Sequence, residues 1–256
     1  MQSRMFAVAL AVSIVSAGGL ARQQESLTRD EVSVIKKKLV AVTESLGQPP
    51  EGYAKTQERY DLPTEAYPTD KAGTYYLIGP GASLQFGSSA QKSSEADQQA
   101  LQKEYQKKLA EAQAKGDYET MAKLGQEMQQ KAGKMQMGLI EGAKEPIDVS
   151  IRFNSNPGTT IDPDGVLFEG TGFIALKLEV NSQGDKGCVA IYFDPVNLKD
   201  TKQLSRVDLK TPEKGIKKRT GILNAAVELS GPLAEIDKWA RRVDTKKVLA
   251  QIDAVN

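Results

Sequence analysis

The apolar positions of this chain keep two rhythms, and the change between them divides it. From Thr28 to Leu46, the residues Val32, Ile35, Leu39, Val42 and Leu46 recur at three- and four-residue steps, which places them on one face of a helix. Thr28 with Glu31 forms a capping box at its start, and Gly47 followed by Pro49-Pro50 stops it. From Ile147 the step shortens to two. DVSIRF, VLFE, FIALKLEV, KGCVAIYF and GILNAAVEL read as strands, with Ile174, Leu176, Leu178 and Val180 on one face of the third. Short turns and the lack of crossover helices between them call for an antiparallel sheet. Gly231-Pro232 opens a terminal helix with Leu233, Ile236, Trp239 or Ala240, and Val243 on one side. Asp244 or Thr245 caps a further short helix through Leu249 and Ile252, and these helices are expected to cover one face of the sheet.

Between these regions the pattern changes twice. EGYAKTQERYDLPTEAYPTDKAG shows no period and is expected to wrap the core as an irregular strap pinned by Tyr53, Tyr60 and Tyr67. TYYLIGPGASLQF then reads as two short strands about a Gly79-Pro80-Gly81 turn. Next, Ser94 with Asp97 caps a helix striped by Leu101, Tyr105, Leu109 and Ala112. After Gly116 the residue Asp117 caps a second helix, striped by Met121, Leu124, Met128, Ala132, Met135 and Leu139. A glycine at the end of one helix followed at once by an aspartate cap is the chemistry of a tight helix–helix turn, so the two rods are expected to fold back as a hairpin. The turn Lys115-Gly116-Asp117-Tyr118-Glu119 is similar to the inter-helix turn of tetratricopeptide repeats. The likeness spans those five residues, and the absence of a second copy at the repeat's interval of about 34 residues excludes a solenoid. Gly125, Gly133, Gly138 and Gly142 each lower the second helix's intrinsic stability by about 1 kcal/mol against Ala.

Composition changes this picture at the N-terminus. One Arg precedes an uncharged run from Met5 to Ala21, with small residues at Val15/Ala17 and Gly19/Ala21 that suit cleavage. The run is short for a bilayer span, so residues 1–21 are expected to be a cleaved secretory signal, leaving no transmembrane segment. Arg4 is one of 34 basic residues, so the remainder carries 33 against 33 acidic ones, and no global field draws it toward nucleic acid. Cys188 is the only cysteine, so no internal disulfide forms, and its setting in KGCVAIYF is that of a small hydrophobe.

The chain has no histidine, which removes the usual general base, zinc ligand and Ser-His or Cys-His pairing. Gly170-Thr-Gly172-Phe-Ile-Ala175 has the spacing of a dinucleotide loop, but the residues after it alternate as a strand, so the glycines are read as a hairpin turn. Ser33-Val-Ile-Lys36 and Arg219-Thr-Gly221 resemble two elements of penicillin-recognising serine enzymes; the S-x-N or Y-x-N element is missing between them. Asp162-Pro-Asp164-Gly165 runs straight into apolar residues and reads as a turn, not a calcium loop. Met121, Met128 and Met135 repeat every seven residues, as an adaptable helical seam or a soft partner surface does; Cu(I) is the metal such thioethers would suit, and no metal or other cofactor is assigned. The stretch from Lys199 to Arg219 holds the one basic concentration, either meeting an anionic surface or forming a solvated hairpin against the acidic residues of 44–70.

These readings define an α+β fold: a mainly antiparallel sheet covered by helices, with a projecting two-helix hairpin. The expected divisions are 1–21 signal peptide, 22–91 the helix, strap and short hairpin of the α+β domain, 92–145 the helical hairpin, and 146–256 the β-rich part with the C-terminal helices. Function is expected to be binding, in the periplasm or secreted, to a protein or cell-envelope component, without catalysis. The candidate partner-binding residues are Met121, Met128, Met135, Lys217, Lys218 and Arg219. Two alternatives stay open: a carrier of a small apolar ligand between sheet and helices, and an enzyme using carboxylates or lysine.

Overall fold

The computed structural model describes residues 24–141, 144–180, 185–209 and 215–253, with side chains described outside 90–98, 134–141 and 179–180. The signal expected at 1–21 lies outside the described residues. In chain order the elements are β1 (Glu25–Ser26), α1 (Arg29–Ser45), β2 (Tyr53–Asp61), β3 (Glu65–Ala66), β4 (Gly81–Ser88), α2 (Ser89–Lys115), α3 (Tyr118–Glu141), β5 (Ile147–Phe153) and β6 (Thr159–Thr160). There follow β7 (Val166–Gly170), β8 (Phe173–Val180), β9 (Lys186–Phe193), β10 (Arg206–Val207), β11 (Ala225–Pro232), α4 (Leu233–Ala240) and α5 (Thr245–Leu249). Seven strands form one antiparallel sheet in the order β2-β4-β5-β11-β9-β8-β7. The α+β class with a contacting helix pair is therefore observed.

Alternation builds the core. Ile147, Val149, Ile151 and Phe153 of β5 point to one face, joined by Leu84 and Phe86 of β4, Val227 and Leu229 of β11, and Ile191 of β9. Ile35, Leu39, Val42 and Leu46 of α1 and Ile236, Trp239 and Ala240 of α4 cover them. Trp239 is fully buried, meets Phe86 edge-on at 4.8 Å, and donates its indole N–H to the Leu46 carbonyl at 2.8 Å. That bond satisfies a carbonyl at the end of α1, which Leu46 and Gly47 (φ +66°) terminate. The capping box of Thr28 and Glu31 is present as expected.

The opposite face is divided. Over β8, β9 and β11 it is apolar, where Leu198, Val207 and Leu209 seal Ile174, Leu176, Ala190 and Tyr192. Over β2, β4, β5 and β11 it is polar and open.

The strap expected over residues 51–73 is corrected. Its first part is β2, a nine-residue edge strand. A bulge at Thr56 shifts the register between Lys55 and Gln57, so Tyr53 and Tyr60, of opposite parity, both face the core. That insertion, together with an edge position that leaves most side chains wet, erases any period of two. Residues 74–80 are likewise not the first strand of a hairpin: Tyr75 makes single bridges to Pro68 and Ile216, and only Gly81 onward joins the sheet. The cap expected at Ser94 and Asp97 is also overturned, because α2 continues directly from β4 and begins at Ser89.

The hairpin turn stands as expected. Gly116 takes φ +67°, its N–H bonds to the Gln113 carbonyl at 3.1 Å and the Asp117 N–H to the Ala112 carbonyl at 3.0 Å, the paired bonds of a Schellman ending. The Asp117 carboxylate accepts from the Thr120 N–H at 3.0 Å and from its hydroxyl at 2.6 Å, capping α3.

Candidate functional site

α2 leaves the sheet from β4 and α3 returns to β5, and these strands are neighbours paired through Phe86 and Ile147. The arm is thus inserted between two adjacent rungs of a finished sheet. At about 1.5 Å per residue its helices are about 40 and 36 Å long, and the match in length places the reversal at their far end.

The two helices contact each other along the hairpin, and among the described side chains their seam is narrow. Among the arm's described side chains only Tyr105, Ala112 and Leu124 are buried. The Tyr105 hydroxyl donates to Glu127 at 3.2 Å, and the Lys131 ammonium lies 5.6 Å from the Tyr105 ring centre. Leu109 is 40% and Met128 37% exposed, so two positions of the expected apolar stripes lie at the margin of the seam. Met121 is half-buried, and the side chain of Met135 lies outside the described residues.

Charge is segregated on the arm. Glu104 pairs with Lys108 at 2.7 Å. The Glu104 carboxyl is held below its ordinary value first by that lysine and further by Lys131 across the seam, while Lys108 is raised first by Glu104 and also by Glu127. One lateral side of the hairpin, built from both helices, is therefore charged. Successive helical residues are rotated by about 100°, which puts Gln102, Gln106, Leu109 and Gln113 of α2, with Met121, Gly125, Met128 and Ala132 of α3, on the other lateral side. Between residues 99 and 133 no charged residue falls on that side.

The basic triad does not join this surface. Asn154, immediately after β5, donates to the Gly221 carbonyl at 2.9 Å and accepts from the Leu223 N–H at 2.8 Å, fixing the Lys217–Arg219 segment beyond the far end of the strands. The triad and the base of the arm are separated by the length of β5, about 20 Å at ~3.4 Å per residue. Arg219 forks onto Glu31, with Nε and Nη2 each at 2.9 Å from a carboxylate oxygen, and Nη1 is 3.4 Å from Glu25. Lys218 lies 3.0 Å from Asp253, which also accepts from Lys38 at 2.7 Å and from the Ile222 N–H at 2.8 Å. Lys217 is exposed. The acids that answer the triad are thus Glu25, Glu31 and Asp253, not the acidic residues of 44–70.

A feature the sequence reading missed lies on the open sheet face: a concavity of about 370 Å³ lined by Gln57, Arg59, Ser83, Gln85, Asp148, Ser150, Glu228 and Ser230. The sheet register stacks these residues in two rows, Arg59-Ser83-Ser150-Glu228 and Gln57-Gln85-Asp148-Ser230. Ser83 and Ser150 at the middle of the first row make the floor low there, while in the second Gln85 donates to Asp148 at 3.0 Å, and Arg152 pairs with Glu228. The alternation of β5 was visible in the sequence, that of β2 was not, and the assembly of the face needed the pairing order. Antiparallel sheets commonly leave one face solvated, and this geometry is of that kind.

The rejected motifs take the places expected of them. Gly172 (φ +84°) forms the two-residue turn between β7 and β8, Asp162 caps a short 3-10 turn, and Ser33 and Lys36 lie exposed on α1. Cys188 is half-buried in β9 opposite Ser230. Trp239, Phe86 and their neighbours pack between the sheet and the helices, the place expected for an apolar ligand. No family model matches the chain, and neither curated proteins nor solved structures provide a significant match to it.

Proposed function

We propose that this protein is an exported binding protein whose helical arm engages a protein or cell-envelope partner. The observation that supports it is the arm itself: two long helices that leave and rejoin the sheet at neighbouring strands, with Leu109 and Met128 exposed beside a seam in which three of the described side chains are buried. Thioether and aliphatic side chains in such a setting repack on varied apolar surfaces at little cost. The basic triad is not part of this reading, because Arg219 is spent on Glu31 and Glu25.

The test replaces residues 89–144 with a short turn joining β4 to β5. The sheet order predicts that the shortened chain keeps a cooperative thermal transition while partner capture from envelope extract is lost. Capture that survives excision refutes the assignment to the arm. Export is checked separately by fractionation and N-terminal sequencing of the mature chain, expected to begin after Ala17 or Ala21.

A further inference from the structure

We infer that the concavity on the open sheet face binds a dipeptide as its zwitterion, with the carboxylate on Arg59 and the ammonium on Asp148. The inference goes beyond the binding reading of the arm and stands without it. Three observations lead to it.

The bulge in β2 is the first. Tyr53 and Lys55 lie on the core side of the strand with Phe86, and an unbroken strand would put Gln57 and Arg59 on that side as well. The extra residue at Thr56 turns both onto the open face, opposite Gln85 and Ser83. Bulges are over-represented next to functional sites, where they re-aim a side chain.

The second is that the groups of this concavity are uncommitted. Charges on a solvated face commonly answer one another, as Arg152 and Glu228 do. Arg59 has no ion-pair or hydrogen-bond partner among the described residues, and neither do the side chains of Gln57, Ser83, Ser150 and Ser230. Asp148 accepts from Gln85 through Oδ1 at 3.0 Å, so Oδ2 keeps its lone pairs. A fork of N–H donors at one corner and a carboxylate at the other suit a ligand that is anionic at one end and cationic at the other. The amide and hydroxyl groups between them both donate and accept, as a peptide group requires. Among the described lining residues none is aromatic, so a flat ring has nothing to stack on, and Arg59 is the one cation, too few for a polyanion.

The third is distance. Arg59 and Asp148 are two strands apart and offset by two residues, which sets their Cα atoms about 12 Å apart. Strand side chains stand roughly perpendicular to the sheet, so the two head groups keep about that separation. An extended dipeptide places its charged ends about 7 Å apart, and a contact of about 2.8 Å at each end brings the total to about 12–13 Å. A free amino acid falls short by about 3–4 Å. The volume of about 370 Å³ lies at the small end of the range for small-molecule sites.

The test titrates the purified chain with L-alanyl-L-alanine, by calorimetry and by the amide resonances of β2, β4, β5 and β11. Saturable binding with a Kd at or below about 1 mM is expected, weakened at least about tenfold by Arg59→Gln and by Asp148→Asn. Both side chains are exposed, so both variants should keep the parent thermal transition. Free alanine and the acetylated, amidated dipeptide should bind at least about tenfold more weakly. Absence of saturable dipeptide binding overturns the inference, as does equal binding of alanine or of the capped form, or an affinity indifferent to either substitution. Phosphate or maltose bound as tightly as the dipeptide overturns it too, because the face is then a general anion or hydroxyl site. The excision of the arm tests the binding reading separately.

Discussion

Replacing Arg219 by Met separates a structural from a partner-binding role for the basic triad. Methionine keeps an aliphatic stem beside Tyr75, whose ring centre lies 5.8 Å from the guanidinium, and removes only the charged fork. The loss comprises two bonds of 2.9 Å to Glu31 and longer ones of 3.4 Å to Glu25 and the Ser26 carbonyl. Hydrogen bonds to charged groups contribute about 1.5–3 kcal/mol when sheltered, and exposed ion pairs contribute under about 1 kcal/mol. The Arg219 and Glu31 side chains are 23% and 26% exposed, which places this pair between those limits, at about 1–2 kcal/mol. For a chain of this size that corresponds to a fall in Tm of about 2–8 °C. Because Arg219 holds Glu25 and the Ser26 carbonyl, amide exchange over residues 24–27 should accelerate, whereas Lys217→Glu should change stability by less than about 0.5 kcal/mol. Unchanged Tm and unchanged exchange in Arg219→Met would refute the clamp. Lost partner capture with unchanged stability would instead restore Arg219 to the binding surface.

Acid should weaken the same region. Glu31 is held below its ordinary 4.5, chiefly by the Thr28 backbone N–H and further by Arg219; Asp253, pushed up by burial, is carried net below its ordinary 3.8 by Lys38, the Ile222 N–H and Lys218. A lowered folded-state pKa contributes stability that is fully present above the ordinary value and is lost as pH falls through the folded one, so urea midpoints should begin to drop below about pH 4.5, less steeply in Asp253→Asn. Tyr60 is pushed up to about 12, first by burial and then by its bond to Glu58, so ultraviolet difference titration should leave it protonated at pH values where exposed tyrosines ionise. Trp239→Phe leaves the buried Leu46 carbonyl without its donor and should cost about 1–3 kcal/mol in chemical denaturation, with Trp239→Ala costing about 3–5 kcal/mol. Gly116→Ala should destabilise the arm by about 1–2 kcal/mol through its φ of +67°, seen as earlier loss of helical signal without a shift in the sheet's transition.

What was legible in the sequence is what local chemistry alone decides. The capping box at Thr28, the Gly116-Asp117 reversal, the alternation of β5 and the existence of β8 and β9 each depend on residues within a few positions, and all are present. What was not legible depends on partners distant in the chain. β2 is polar on both sides because it is an edge, and the bulge at Thr56 exchanges its parity halfway, so no window over 51–61 contains a period. The ion pairs of Arg219 and Lys218 connect residues 188 and 35 positions away. Lys218 and Arg219 seen without those acids look like part of a field; with them they are part of the wall.

The two ends of the sheet are therefore built differently. At one end β1 pairs with β3, Arg219 gathers Glu25 and Glu31, and Asp253 gathers Lys38 and Lys218, so the chain's first described segment and its last are fastened within one network. At the other end the arm leaves from β4 and re-enters at β5 through positions that are already neighbours. Those strands pair with each other directly, with Phe86 opposite Ile147, so no rung of the sheet runs through the arm. A segment attached in that way is free to exchange its packing partners while the body stays folded, which is the physical condition a binding arm has to meet.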